Sequence, residues 1–307
     1  MILTVSPAGG APAAPSLPWF RTLVRTAERG GLDAILFDGQ WGLSSAFNLD
    51  SIPLIVALAE CSTRIGLAGA IEVDHAEPFN IARSFAAADR LTAGRSALIA
   101  ATGAVRPGDF GHAPARTAAE RTARAVECIA VVRKLWDSWE DEAILLDKPN
   151  GRFSNPDRVH PINHAGAFFS VRGPLNAPRP LQGNPPVIQR DASPEGLALA
   201  RQTADVFIAS DASTLPAIRQ ALGDRPRLLA RMSFGGKPET FAAQLAELLP
   251  LCDGFDVVPT LLPRDLDKFV DEVVPLLRAR GLRPASYEGK TLREHLGLAR
   301  PRSQFAA

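Results

Sequence analysis

Residues 65–101 read IGLAGAIEVDHAEPFNIARSFAAADRLTAGRSALIAA. The runs Ile65–Ile71 and Ser96–Ala101 are apolar without clean alternation, which suits parallel strands covered on both faces. Between them Ile81, Phe85 and Ala88 share one helical face. Pro78 stands where a helix can start, because the first turn has no use for its missing N–H. The segment is a strand, a helix and a second strand.

Working outward, the same pattern repeats along the whole chain. Further apolar runs lie at Ile2–Val5, Ala34–Phe37, Pro186–Gln189, Val206–Ala209, Arg227–Arg231 and Phe255–Val258. Ala125, Ile129, Val132 and Trp136 mark a fourth helix, and Leu266, Phe269, Val273 and Leu277 mark the last. Eight strands, each followed by a helix, predict an α/β fold: one (β/α)8 barrel spanning residues 1–307, with its active site at the C-terminal strand ends. A doubly wound sheet is the runner-up, but the GxGxxG turn expected of it is absent. An excursion, 139–185, separates the fourth helix from the fifth strand, and 282–307 form a tail. Connections of that length are usually functional or linkers.

Bulk properties narrow the function. Hydrophobic residues make up 46% of the chain, enough for a core, and a net charge of +1 offers no basic field for nucleic acid. Cys61, Cys128 and Cys252 are far apart and form no CxxC pair, so buried free thiols are expected. The opening MILTVSPAGG lacks the features of a signal peptide, and no run approaches the roughly 20 apolar residues of a membrane span. A cytoplasmic protein that binds neither membrane nor nucleic acid is expected.

Several blocks carry a resemblance. They are Gly31–Asp38 (GLDAILFD), Thr63–Arg83 (TRIGLAGAIEVDHAEPFNIAR) continuing through Asp89-Arg90-Leu91 and Gly94-Arg95, the excursion within Leu135–Gly183, and the final DGFDVVPTLLPRDLDKFVDEVVPLLRARG with YEGKTLREHLGL. Together they resemble flavin-dependent monooxygenases of the nitrilotriacetate and dibenzothiophene-sulfone type, a branch of the luciferase-like family. The resemblance implies a barrel enzyme using reduced FMN and O2 on an unknown small organic substrate, with a separate flavin reductase as partner. It also implies a homodimer or a heterodimer with a paralogue. In such chemistry the flavin activates oxygen while the protein positions substrate and excludes water. By this resemblance Asp38, Thr102, Gln189 and Ser193 are the cofactor-binding candidates. Glu72, Asp74, His75, Arg190, Asp191 and Arg231 are candidates for lining a substrate pocket. No catalytic residue and no metal ligand stands out.

The chain departs from the family pattern where the flavin should sit. Ala70-Ile71-Glu72-Val73-Asp74-His75 places acids where small and hydroxyl residues are usual. Leu98-Ile99-Ala100-Ala101-Thr102-Gly103 lacks the family's Trp-Asn pair, and Ala118 and Thr122 fall where a His and a Tyr usually open the next helix. The turn after the fifth strand reads Gln189-Arg190-Asp191-Ala192-Ser193 in place of Gln-Ala-Gly-Ser-Ser. Unpaired N–H groups at a helix N-terminus bind phosphate, and Asp191 supplies an internal carboxylate able to cap those same groups. The helical insertion after the seventh strand is missing, and the first loop is reduced to Ser6–Pro18. These departures support an alternative: a degenerate barrel that has lost flavin and serves as a non-catalytic binding or partner subunit. A third reading rebuilds the site around Glu72, Asp74, His75 and Asp191 for another ligand.

Single residues carry competing readings. Asp38 is either an orienting carboxylate or a loop cap. Glu72, Asp74 and His75 are either an acid/base cluster or a solvated acidic loop, the plainer choice. His160 and His164, in HPINH, read as structural, and Trp136 and Trp139 as packing the excursion onto the barrel. Thr102, Arg106, Gln189, Arg231 and Thr260 are strand-end positions only.

Overall fold

In a computed structural model the described residues are 1–7, 15–37, 49–103 and 116–305. The eight barrel strands are Ile2–Val5, Ala34–Phe37, Gly66–Glu72, Ser96–Ala101, Val187–Gln189, Val206–Ala209, Arg227–Phe234 and Gly254–Pro259. All pair in parallel with their sequence neighbours, and the first closes on the eighth. The seventh strand outruns the apolar run that announces it. Met232, Ser233 and Phe234 go on pairing with Val257, Val258 and Pro259, while the exposed Ser233 interrupts the hydrophobic pattern.

Strand alternation sorts the side chains. One phase faces the surrounding helices. The other packs Ile2, Ala34, Leu36, Ala68, Ala70, Ala97, Ile99, Ile188, Val206, Ile208 and Leu229 into the barrel interior. Small alanines on the second, third and fourth strands face larger Ile and Leu from the rest, so the interior fills without a channel. Leu292 and Leu296 of the tail join this cluster and stopper the barrel at its N-terminal end.

The N-terminal rim is fastened by aspartates that precede even-numbered strands. Asp33 accepts from Leu3 N at 2.7 Å, Asp205 from Val187 N at 2.9 Å, and Asp253 from Leu228 N at 2.8 Å. Each acid thus takes a backbone donor of the preceding strand and holds a guanidinium besides. Asp33 pairs with Arg283, Asp205 with Arg133 and Arg293, and Asp253 with Arg219 and Arg227. A shallow cavity of about 340 Å³ on this rim is lined by Asp33, Asp253, Arg227 and Arg283 together with Tyr287 and His295. It lies at the end of the barrel opposite the strand C-termini.

The helix Ala118–Asp137 follows the fourth strand and begins with a capping box of Thr117 and Glu120. After it, residues 139–186 run over the surface with two small antiparallel sheets, Ile144–Asp147 with Arg152–Ser154 and His164–Ala165 with Ser170–Val171. Glu127 ties the second sheet to the helix, accepting from Phe168 N, Phe169 N and His164 Nε2 at 2.9–3.0 Å. Trp139 donates to Leu175 O at 2.7 Å, His160 meets Glu140 at 2.7 Å and stacks on Phe305, and Trp136 donates to Ala82 O. Both histidines and both tryptophans therefore serve packing. Among the described residues no helix is long and apolar enough to cross a membrane.

Candidate functional site

The barrel interior is apolar at its base and charged at its C-terminal mouth. Register alone explains the change. Thr4 pairs with Asp256, Asp256 with Arg231, and Glu72 with Ala101, all in the inward phase one layer above the aliphatic filling.

Asp256 is fully buried and accepts from Thr4 Oγ1 at 2.9 Å, Ser6 Oγ at 2.9 Å and Arg231 Nε at 2.9 Å. The Arg231 guanidinium also donates to Ser6 Oγ at 3.2 Å. Sequence reading marked Arg231 and missed its three partners. The signal was present: Thr4 lies inside Ile2–Val5 and Asp256 between Phe255 and Val257, polar residues in the inward phase of apolar strands.

A second cluster forms beyond the third strand. Glu72 is 4% exposed and Asp74 is 0% exposed, so the solvated-loop expectation is corrected: both acids point into the protein. Val73 N bonds to Ala101 O, continuing the ladder past the strand end and turning the loop inward. Asp74 accepts from Gly103 N at 3.1 Å, with Arg121 Nε at 3.7 Å and His75 Nε2 at 3.6 Å. Behind it Arg124 donates to Glu77 and lies over the Phe169 ring, and burial holds its guanidinium below the ordinary value.

The third cluster is the turn after the fifth strand. Asp191 accepts from Ser193 N at 2.9 Å and from Ser193 Oγ at 2.8 Å. Ser193 in turn accepts from Gly196 N at 3.0 Å, capping the helix Pro194–Thr203. Arg190 follows the inward phase of Ile188. Gln189 faces the other way and donates to Thr203 Oγ1 at 2.6 Å, away from the mouth. Thr102 is half-buried beside Gly103. Asp38 and Arg106 lie outside the described residues. The structure thus brings Glu72, Asp74 and His75 together, and separately Asp191 with Ser193, whereas Gln189 is turned out of the group.

Tested against a flavin mononucleotide, these residues do not fit. The backbone donor at the end of the fourth strand is taken by Asp74. The donors at the fifth turn are taken by Asp191 and Ser193, and the first position of the Ala118–Asp137 helix is an alanine with no side-chain donor. The connection from the seventh strand to the next helix is only Gly235–Lys237, so no insertion covers the mouth there.

Comparison with known proteins fixes the lineage. Residues 1–247 match the luciferase-like monooxygenase family. Nitrilotriacetate monooxygenase component A of Aminobacter aminovorans is 30% identical over 418 positions, covering 95% of this chain and 92% of that protein. A pristinamycin IIA synthase subunit of Streptomyces pristinaespiralis is 34% identical over 284 positions, covering 92% of this chain and 90% of that protein. The crystal structure of long-chain alkane monooxygenase superposes with a TM-score of 0.88 at 22% identity, over 96% of this chain and 95% of that one, a likeness of fold. This chain belongs to the luciferase-like monooxygenase family.

Proposed function

We propose that this chain is the short partner subunit of a two-subunit flavin-dependent monooxygenase, a barrel that pairs in the cytoplasm with a full-length paralogue holding the reduced FMN. The observation that carries this reading is the self-paired mouth. Among the described residues, polar groups at the first, third, fourth, fifth, seventh and eighth strand ends are bonded to near neighbours within the mouth. A site that binds a flavin keeps such groups available for it.

Length supports the same reading. The 418-position alignment to the nitrilotriacetate enzyme is longer than the 307 residues of this chain, so it includes many positions with no counterpart here. The 284-position alignment to the pristinamycin IIA synthase subunit is shorter than the chain. In size this protein resembles the relative whose name makes it a subunit of a larger synthase. Within such a complex the rigid, ion-paired barrel supplies a docking surface and helps exclude water from the partner's site.

The test is co-expression of this chain with a full-length luciferase-like barrel from the same organism. The expected result is a 1:1 complex in native mass measurement, with oxygenase turnover that needs both chains and a flavin reductase. Turnover by this chain with the reductase alone would instead support the reading of an FMN-dependent monooxygenase acting by itself.

A further inference from the structure

We infer that the turn after the fifth strand excludes phosphate-bearing ligands, because Asp191 occupies both the donors and the space that a phosphate would take. The exclusion resides in this turn alone and does not depend on whether the chain pairs with a paralogue.

The donors come first. A helix N-terminus attracts an anion through first-turn N–H groups that lack partners. In the helix Pro194–Thr203, Pro194 has no N–H, Gly196 N donates to Ser193 Oγ at 3.0 Å, and Leu197 N donates to Ser193 O at 2.9 Å. Ser193 spends its own N–H and hydroxyl hydrogen on the two Asp191 oxygens, at 2.9 and 2.8 Å. An incoming phosphate would find these donors committed and a carboxylate already in place.

Space gives an independent argument. Glycine in a phosphate-binding turn lets the anion approach the backbone closely. Gly196 keeps that bareness, but the volume above it is filled by the chain. A methyl group placed on Gly196 would come within 2.3 Å of Asp191 O, 2.4 Å of its Cγ and 2.6 Å of its Cβ. A phosphate would have to expel Asp191 to reach the helix, and the displaced carboxylate would remain as a like charge beside it. Asp191 is exposed, so solvent and salt soften that repulsion without removing the occupancy.

The consequence is ligand selection. A phosphate normally distinguishes FMN from riboflavin by adding binding energy. Here the phosphate adds none, and a single residue is responsible. The experiment measures FMN and riboflavin binding by flavin fluorescence in the full-length protein, in Asp191→Gly and in Asp191→Ala, with thermal melting to confirm that each variant is folded. The wild type is expected to bind neither flavin, or to bind both with affinities within about threefold. Either variant is expected to bind FMN at least about tenfold tighter than the wild type with riboflavin unchanged, and inorganic phosphate should compete for the gained site. A wild-type preference for FMN over riboflavin of about tenfold or more would overturn the inference, whatever the variants do. Folded variants that show no gain for FMN would overturn it as well.

Discussion

Replacing Asp256 by alanine tests the self-paired mouth most sharply. The carboxylate is fully buried and accepts from Thr4, Ser6 and Arg231, with the Arg231 side chain 26% exposed. Removing one partner of a buried ion pair costs about 3–5 kcal/mol, because the other charge is left uncompensated. Water at the mouth reaches Arg231, which favours the lower end of that range. Thr4 is 2% exposed and loses its acceptor, a loss of about 1 kcal/mol. The sum is about 4 kcal/mol. For a chain of this size each kcal/mol shifts the midpoint by about 2 °C, so Asp256→Ala should melt roughly 8 °C lower. Urea unfolding of Asp256→Leu, Arg231→Met and the double variant completes the cycle. The double variant, which removes both charges, should recover about half of the loss or more. A single variant within about 1 kcal/mol of the wild type, or a cycle additive within about 0.5 kcal/mol, would show that the mouth is not held by this pair.

Three further expectations concern the scaffold. His295 packs on Tyr287 with ring centroids 5.0 Å apart, and burial lowers its pKa, so the fold binds it neutral. The unfolded chain protonates it first as pH falls through about 6.5, so stability should decline below that pH by at most about 1.4 kcal/mol per unit. Urea midpoints of His295→Phe should lack this component, and an unchanged profile would contradict it. Burial pushes the Cys128 thiol up to about 12, so a thiol reagent should label Cys128 at the rate of unfolding; prompt labelling of native protein would refute its burial. A Cβ on Gly254 would lie 2.1 Å from Ile2 O, so Gly254→Ala must part the first and eighth strands and should destabilise by about 1–3 kcal/mol or more in chemical denaturation.

Much of the fold was legible because its signals are local. Continuous apolar runs marked the eight strands, and helical spacing placed Ile81, Phe85, Trp136 and Leu277 in the core where they lie. The seventh strand ran past its reading because Ser233 is exposed at the mouth, where pairing no longer needs an apolar side chain. The site was legible in part. Asp191 as an internal cap followed from helix-terminus chemistry, and the structure bears out that bond. The Asp256 cluster escaped because its partners are some 250 positions apart in sequence, and only barrel closure joins Thr4 and Ser6 to Asp256. Glu72 and Asp74 were misread as solvated because charge in a loop usually means exposure. What buries them is the continued pairing of Val73 with Ala101, a tertiary fact.

The most direct measurement is an anaerobic titration of the isolated chain with reduced FMN, followed by absorbance and fluorescence. No saturable binding by this chain alone is predicted, with flavin appearing only in a complex with a full-length partner. Saturable binding at one flavin per chain in the micromolar range would contradict that and make this barrel an oxygenase in its own right.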